Sequence, residues 1–270
     1  MFSSVNYDTR FGDATAMDIH IPDGGGEAHP AVMLIHGGAW KYGARSNYTD
    51  AAERFAAAGY VAATIDYRLT PAGVYPAAAQ DCLCALAFLR ANAAAYRIDP
   101  DRIAVSGYSA GGHLSALVGI DSQNPAHQPD CEWGPTTAPA AVIPGDGIYD
   151  FTVDGNDAAG VIKDFLGGSL DEVPDNYTNA SPLLHVTSNL PPMLVIHGDD
   201  DLFVPVGGGD DLVAAMREHG NEVHFLDLGG AGHVLGPTTA TDGGYLQAST
   251  DMPEAWAVTF DFLANTLGAP

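Results

Sequence analysis

Basic residues are scarce in this chain of 270 residues, which has 10 Lys and Arg against 34 Asp and Glu. The formal net charge is −24 at pH 7, and the two lysines are Lys41 and Lys163. Nucleic acids and anionic membranes are bound through basic surfaces, so neither is expected as a partner. Such an Asp-rich surface stays hydrated in concentrated salt. Adaptation to a saline environment and an ordinary acidic mesophilic protein are therefore both retained as interpretations.

Long apolar runs are also missing, and none reaches the ~18 residues that a membrane-spanning helix needs. Residues 1–10 show no basic start followed by an apolar stretch, so no signal peptide is predicted and a cytoplasmic location is expected. Hydrophobic residues nevertheless make up 46% of the chain. A chain of this length and composition can bury a large core, which excludes extensive disorder.

Cysteines are few, namely Cys82, Cys84 and Cys131. Cys82 and Cys84 are two apart in a stretch predicted to be helical, where they point to different sides and cannot readily bond to each other. An odd count without a signal peptide predicts reduced thiols. The pair has no nearby partner ligands, so we interpret these cysteines as small core residues and predict no metal site.

Strand and helix patterns alternate along the chain, which predicts an α/β fold: a mostly parallel sheet with helices on both faces, in one domain over 1–270. The predicted strands are 17–21, 31–35, 60–65, 102–106, 140–143, 193–196 and 222–228. The predicted helices are 47–58, 76–94, 110–119, 206–219 and 253–267. The stretch 146–190 is too long for an ordinary connection, so it is a candidate lid or pocket wall with one helix at 158–166. The acidic turn 154–157 lacks the full calcium-loop pattern.

A G-x-S-x-G motif surrounds Ser109, between the predicted strand 102–106 and the helix 110–119. The strand must turn sharply into the helix there, which leaves the serine oxygen exposed on a strained corner. Small residues on both sides allow the two elements to approach closely. This context favours a nucleophile over an incidental serine in a glycine-rich turn.

A second glycine-containing turn, H-G-G-A-W at 36–40, follows the strand 31–35. Backbone N–H groups of Gly37, Gly38 or Ala39, with that of Ala110 after the serine, could form an oxyanion hole. Which of the three acts is not fixed by the sequence. Trp40, and Tyr108 beside the serine, are candidates for flanking the substrate, and packing around the turn is an equal alternative.

A serine nucleophile needs a base, and the base needs an orienting acid. In the expected chain order the acid follows the serine, and the histidine comes last. Three aspartates at 199–201 follow a strand, and Asp201 is preferred among them. His233 lies in a glycine-rich loop after the last strand and is the predicted base. His224 lies within a strand, and His113 is expected to make a local hydrogen bond.

Five segments together resemble the α/β-hydrolase superfamily: HGGAW at 36–40, DYRL at 66–69, DPDRIAVSGYSAGGHL at 99–114, HGDDDLFVP at 197–205 and GAGH at 230–233. Within it, the chain is most similar to bacterial carboxylesterases related to hormone-sensitive lipase and to feruloyl or acetyl-xylan esterase-like proteins. The resemblance implies a Ser109–Asp201–His233 triad, with an acid four residues after the histidine of the HG turn. Two features depart from the lipase-like pattern: Ala39 replaces the third glycine, and no long cap segment precedes HGGAW.

The resemblance implies a serine hydrolase that cleaves small-molecule esters with short acyl or small aromatic groups, through an acyl-enzyme and without a cofactor. Kynurenine formamidases share the HGGxW form, so amide hydrolysis is the first alternative. A non-catalytic binding protein on the same fold is the second. Both a monomer and a homodimer stay open.

Overall fold

A computed structural model of the protein describes residues 1–24, 26–153, 160–233 and 253–270. Eight strands in these ranges form one sheet. They are β1 (Phe2–Asn6), β2 (Ala16–His20), β3 (His29–Ile35), β4 (Val61–Ile65), β5 (Ile98–Tyr108), β6 (Ala141–Gly145), β7 (Met193–Gly198) and β8 (Val223–Leu228). Their order across the sheet is β1-β2-β4-β3-β5-β6-β7-β8. The pairs from β4 to β8 are parallel, whereas β2 is antiparallel to both β1 and β4. The prediction of a mostly parallel sheet is confirmed.

Helices cover both faces of this sheet. They are α1 (Thr49–Ala57), α2 (Ala77–Ala91), α3 (Ala110–Asp121), α4 (Val161–Leu166), α5 (Pro174–Ala180), α6 (Gly207–Glu218) and α7 (Pro253–Leu267). Side chains alternate between the two faces along β3. Met33 packs in one cluster with Leu83 of α2, and Val32 packs in another with Phe55 of α1 and Leu263 of α7. Among the described helices, none combines the length and apolarity needed to cross a bilayer.

Two elements were not predicted from the sequence. The edge strand β1 has the sequence FSSVN and is mostly exposed, so it lacks the apolar run that marks a buried strand. Helix α5 has the sequence PDNYTNA, in which Asp, Asn and Thr are weak helix formers. It begins at Pro174 and buries Tyr177 and Ala180, so tertiary packing stabilises it.

The stretch 146–190 packs firmly against the core where the structure describes it. Phe151 and Phe165 are at most 3% exposed and belong to the larger core cluster. Whether this stretch forms a lid or a pocket wall stays a prediction. The acidic turn 154–157 and the start of the predicted helix 158–166 lie outside the described residues.

The cysteine prediction is wrong in one respect, because Cys84 and Cys131 form a disulfide. Their Cα atoms lie 6.2 Å apart although the residues are separated by 47 positions. Cys131 belongs to an irregular segment that packs beside α2, a proximity that no local pattern reveals. Cys82 is free and buried in the core, as expected.

Candidate active site

Ser109 stands on the sharp turn between β5 and α3. Its backbone has φ 58° and ψ −123°, a strained conformation for a residue with a side chain. A Cβ atom at Gly107 or Gly111 would collide with the carbonyl oxygen of Ile35 on the neighbouring strand. The small residues around the serine are therefore required by the close contact between α3 and β3.

The structure brings Ser109, His233 and Asp201 together from three separate loops. His233 Nε2 lies 3.0 Å from Ser109 Oγ, and His233 Nδ1 lies 2.7 Å from Asp201 Oδ2. With Asp201 ionised, Nδ1 carries the proton and donates to the carboxylate, which leaves Nε2 to accept from the serine hydroxyl. The three side chains form a continuous hydrogen-bonded chain that can remove a proton from the serine.

Asp201 is held in place by several donors. Its Oδ1 accepts hydrogen bonds from the backbone N–H groups of Phe203 and Val204, at 2.8 and 2.9 Å. Its Oδ2 also lies 3.4 Å from Nε2 of the buried His197. Burial raises the pKa of Asp201, but hydrogen bonds from His197, His233 and Val204 outweigh it and hold the pKa well below its usual range. The carboxylate therefore stays ionised beside His233.

The two other candidate acids make different contacts. Asp199 accepts a hydrogen bond from the backbone N–H of Gly230, and Asp200 is exposed. His224 is exposed on β8 and lies near Glu222.

The turn 36–40 lies directly beside the serine. A Cβ atom on Gly37 would lie 2.9 Å from the Tyr108 carbonyl oxygen and 3.2 Å from Ser109 Cβ. Gly38 has φ 110°, and Ala39 has φ 52°. The side chain of Tyr67 fixes the start of the turn, because its hydroxyl donates to the His36 carbonyl at 2.9 Å. Gly37 of this turn is thus close to Ser109, and the backbone N–H groups of the turn stay candidates for binding an oxyanion.

Trp40 and Tyr108 pack around the turn. Trp40 is 3% exposed and stacks on Phe165 with ring centroids 4.3 Å apart. The ring of Tyr108 packs closely over Gly145, where a Cβ atom would collide with it. Both side chains thus help to shape the turn beside the serine, and a role of Trp40 or Tyr108 in flanking the substrate stays a prediction.

His113 is a hydrogen-bonding residue, as expected, but its two partners are distant in the chain. Its Nδ1 accepts from Trp40 Nε1 at 3.1 Å, so Nε2 carries the proton and donates to the Ala180 carbonyl at 2.8 Å. Burial lowers the pKa of His113 to about 3. The neutral imidazole ties the 36–40 turn to α3 and α5.

Asp146 is a residue of the site that the sequence reasoning missed. It follows β6 with φ 43° and is fully buried. Its Oδ1 accepts from the Gly198 N–H at 3.1 Å and lies 3.9 Å from His197 Nε2. Burial raises its pKa to about 6, against the opposing effect of His197. Its position just beyond the carboxyl end of a parallel strand is the signal that could have identified it.

Asp146, Asp201 and His233 each offer a ligand atom within 4.8 Å of the others, which is close enough for a shared cation. The Nδ1 of His233 and Oδ2 of Asp201 are, however, hydrogen-bonded to each other at 2.7 Å. A cation bound by all three residues would have to break the hydrogen bond between His233 and Asp201. The donor set therefore fits an oriented imidazole better than a metal centre.

The sheet order, the parallel strands and the strand–turn–helix at Ser109 define the class of this protein as an α/β-hydrolase. Residues 17–216 match the BD-FAE family model. The chain belongs to the BD-FAE family.

Several similar proteins are named as esterases. Esterase LipC of Mycobacterium tuberculosis is 37% identical over 211 residues, which are 76% of this chain and 52% of that protein. A truncated carbohydrate esterase from gut microbiota superposes with a TM-score of 0.86 and 26% identity, over 98% of this chain and 95% of that one. An acetyl ester-xyloside bifunctional hydrolase from Caldicellulosiruptor lactoaceticus superposes with a TM-score of 0.71 and 26% identity, over 92% of this chain and 88% of that one. The chain spans about half the length of the curated relatives it matches.

Proposed function

We propose that this protein is a carboxylic ester hydrolase that uses Ser109 as nucleophile, His233 as general base and acid, and Asp201 as the orienting acid. The observation that carries the proposal is the hydrogen-bonded chain from Asp201 through His233 to Ser109, at 2.7 and 3.0 Å. The named esterases among the relatives support the same class of reaction.

In the first step, Ser109 Oγ attacks the ester carbonyl carbon and its proton passes to His233 Nε2. The carbonyl oxygen gains negative charge and is bound by the backbone N–H of Ala110 and by N–H groups of the turn 36–40, where Gly37, Gly38 and Ala39 are the candidates. A single such donor contributes about 3–4 kcal/mol in well-studied enzymes. His233 then donates the proton to the alcohol oxygen, the carbon–oxygen bond breaks, and an acyl-serine remains.

In the second step, water attacks the acyl-serine while His233 accepts a proton from it, and the acid leaves as Ser109 Oγ regains a proton. Asp201 stabilises the charged imidazole in both steps, because it is ionised and hydrogen-bonded to Nδ1. The proposed substrates are esters with a short acyl or small aromatic-acid group. No step requires a metal or an organic cofactor.

A series of p-nitrophenyl esters from acetate to palmitate tests this proposal with the wild type and Ser109→Ala. We expect the highest turnover on short acyl chains and a loss of at least about 10⁴-fold in kcat for Ser109→Ala. Ser188→Ala, at an exposed position before β7, serves as the matched control and should match the wild type. Turnover retained by Ser109→Ala would contradict the assignment. No turnover by the wild type would direct the test to N-formyl substrates.

A further inference from the structure

Two large apolar side chains are conspicuously exposed beside the site. Leu202 is 92% exposed and Phe203 is 73% exposed, the highest values among the large hydrophobic residues that the structure describes. They follow directly after Asp201. Single exposed apolar residues are common on protein surfaces, but a pair at the rim of a site marks a place where apolar groups bind.

The backbone that carries Phe203 is anchored by the site itself. The N–H groups of Phe203 and Val204 both donate to Asp201 Oδ1. The Val204 carbonyl accepts a hydrogen bond from His197 Nε2 at 2.8 Å. Contacts on both sides thus fix the backbone of Phe203 relative to the triad acid, so its side chain starts from a defined point on the rim.

The phenyl ring also lies next to the predicted base. The ring centroids of Phe203 and His233 are 5.6 Å apart, with an interplanar angle of 47°. His233 Nε2 faces Ser109 Oγ on the inner side of the imidazole. Phe203 therefore lies beside the space that a leaving group occupies when it departs next to the imidazole of His233.

The chemistry assigns one half of the ester to this space. When the carbon–oxygen bond breaks, His233 Nε2 gives its proton to the alcohol oxygen, so that oxygen must approach the imidazole. The carbonyl oxygen points instead toward the donors of the 36–40 turn and Ala110. It follows that the alcohol half, and not the acyl half, passes beside Phe203.

We propose that Phe203, with Leu202 beside it, forms a subsite for an apolar leaving group, so that esters of aryl-substituted or alkyl alcohols are preferred over esters of small or strongly polar alcohols. Asp199 and Asp200 are exposed on the same loop, and their negative charges disfavour anionic leaving groups. This inference rests on the proposed ester hydrolysis and adds the chemical class of the alcohol.

A pair of isomeric esters separates the two halves of the substrate. 2-Phenylethyl acetate carries its phenyl group on the alcohol, and ethyl phenylacetate carries it on the acid. Both release a primary alcohol, so the need for proton donation is similar. We measure kcat/KM for both esters with the wild type, Phe203→Ala and Phe203→Leu.

We expect Phe203→Ala to lower the ratio of kcat/KM for 2-phenylethyl acetate to that for ethyl phenylacetate by about 10-fold, since truncation removes most of the apolar surface that would cover the phenyl group. Phe203→Leu keeps an apolar side chain and should lower the ratio by less than about threefold. Leu184→Ala is the control, because Leu184 is also exposed but belongs to the turn Pro182–His185. It should leave both the ratio and the absolute rates unchanged.

An unchanged ratio would overturn the subsite, and if both rates fell equally it would mean that Phe203 acts only by positioning His233. A wild-type kcat/KM that is higher for glycerol monoacetate, the ester of a polar alcohol, than for 2-phenylethyl acetate would overturn it as well. Failure of the underlying ester hydrolysis is recognised separately, because the wild type would then be no faster than Ser109→Ala on either ester. Thermal unfolding of each variant shows whether the fold is intact.

Discussion

The effect of replacing Asp146 by Asn on stability should depend on pH. The free energy of unfolding of Asp146→Asn, minus that of the wild type, should increase as the pH rises. Asp146 is fully buried beside His197. Burial raises its pKa from the ordinary 3.8 to about 6. The folded protein therefore holds this proton more tightly than the unfolded chain does. Between these two pKa values the unfolded chain ionises first, so the free energy of unfolding falls as pH rises.

The size of the effect follows from the shift. The difference between the folded and unfolded pKa of Asp146 corresponds to about 3 kcal/mol in the free energy of unfolding. The wild type loses this stabilisation completely once the pH is well above the folded pKa. At pH 4.5 about 1 kcal/mol of this has already been lost, and at pH 8 the loss is complete. Asn has nearly the same shape, keeps an acceptor for the Gly198 N–H and cannot ionise. The stability of Asp146→Asn minus that of the wild type should thus increase by about 2 kcal/mol between pH 4.5 and pH 8.

Urea unfolding followed by tryptophan fluorescence at several pH values measures this difference. Asp171→Asn is the matched control, because Asp171 is an exposed carboxylate between α4 and α5. The control should show no pH-dependent difference from the wild type. A constant difference between Asp146→Asn and the wild type across this pH range would refute the reasoning, since it would mean that Asp146 ionises alike in the folded and unfolded chain.

Two further predictions concern the disulfide and the surface charge. Under oxidising conditions, Cys84→Ser should lower the free energy of unfolding by about 4 kcal/mol, because the disulfide closes a loop of 47 residues and restricts the unfolded chain. The reduced wild type should resemble Cys84→Ser in stability. Identical unfolding midpoints for the oxidised wild type and Cys84→Ser would contradict this prediction. Raising the salt from 0.1 M to 1 M should raise the Tm, because the screening length falls from about 10 Å to about 3 Å and relieves repulsion within a chain of net charge −24. A Tm that stays level or falls over that range would count against the saline interpretation.

The sequence determined those features that depend on local pattern. Apolar runs predicted β3, β4 and β7, because strands buried on both faces of a sheet contain few polar residues. Small residues around Ser109 predicted the sharp turn, because only they allow α3 to contact β3. The order of Ser109, Asp201 and His233 along the chain, each after a strand, indicated that they meet at one edge of the sheet.

Tertiary structure decided what depends on contacts between distant segments. The disulfide of Cys84 requires Cys131 to pack across α2, and nothing near either cysteine in the sequence encodes that contact. Trp40 became a core residue because Phe165 stacks on it from 125 positions away. Asp146 lies in the site because β6 and β7 are neighbouring strands. Asp146 follows the carboxyl end of β6, where its side chain contacts Gly198 and His197 at the end of β7. Local sequence sets which conformation a segment can adopt, whereas burial and pairing are set by the segments that fold against it.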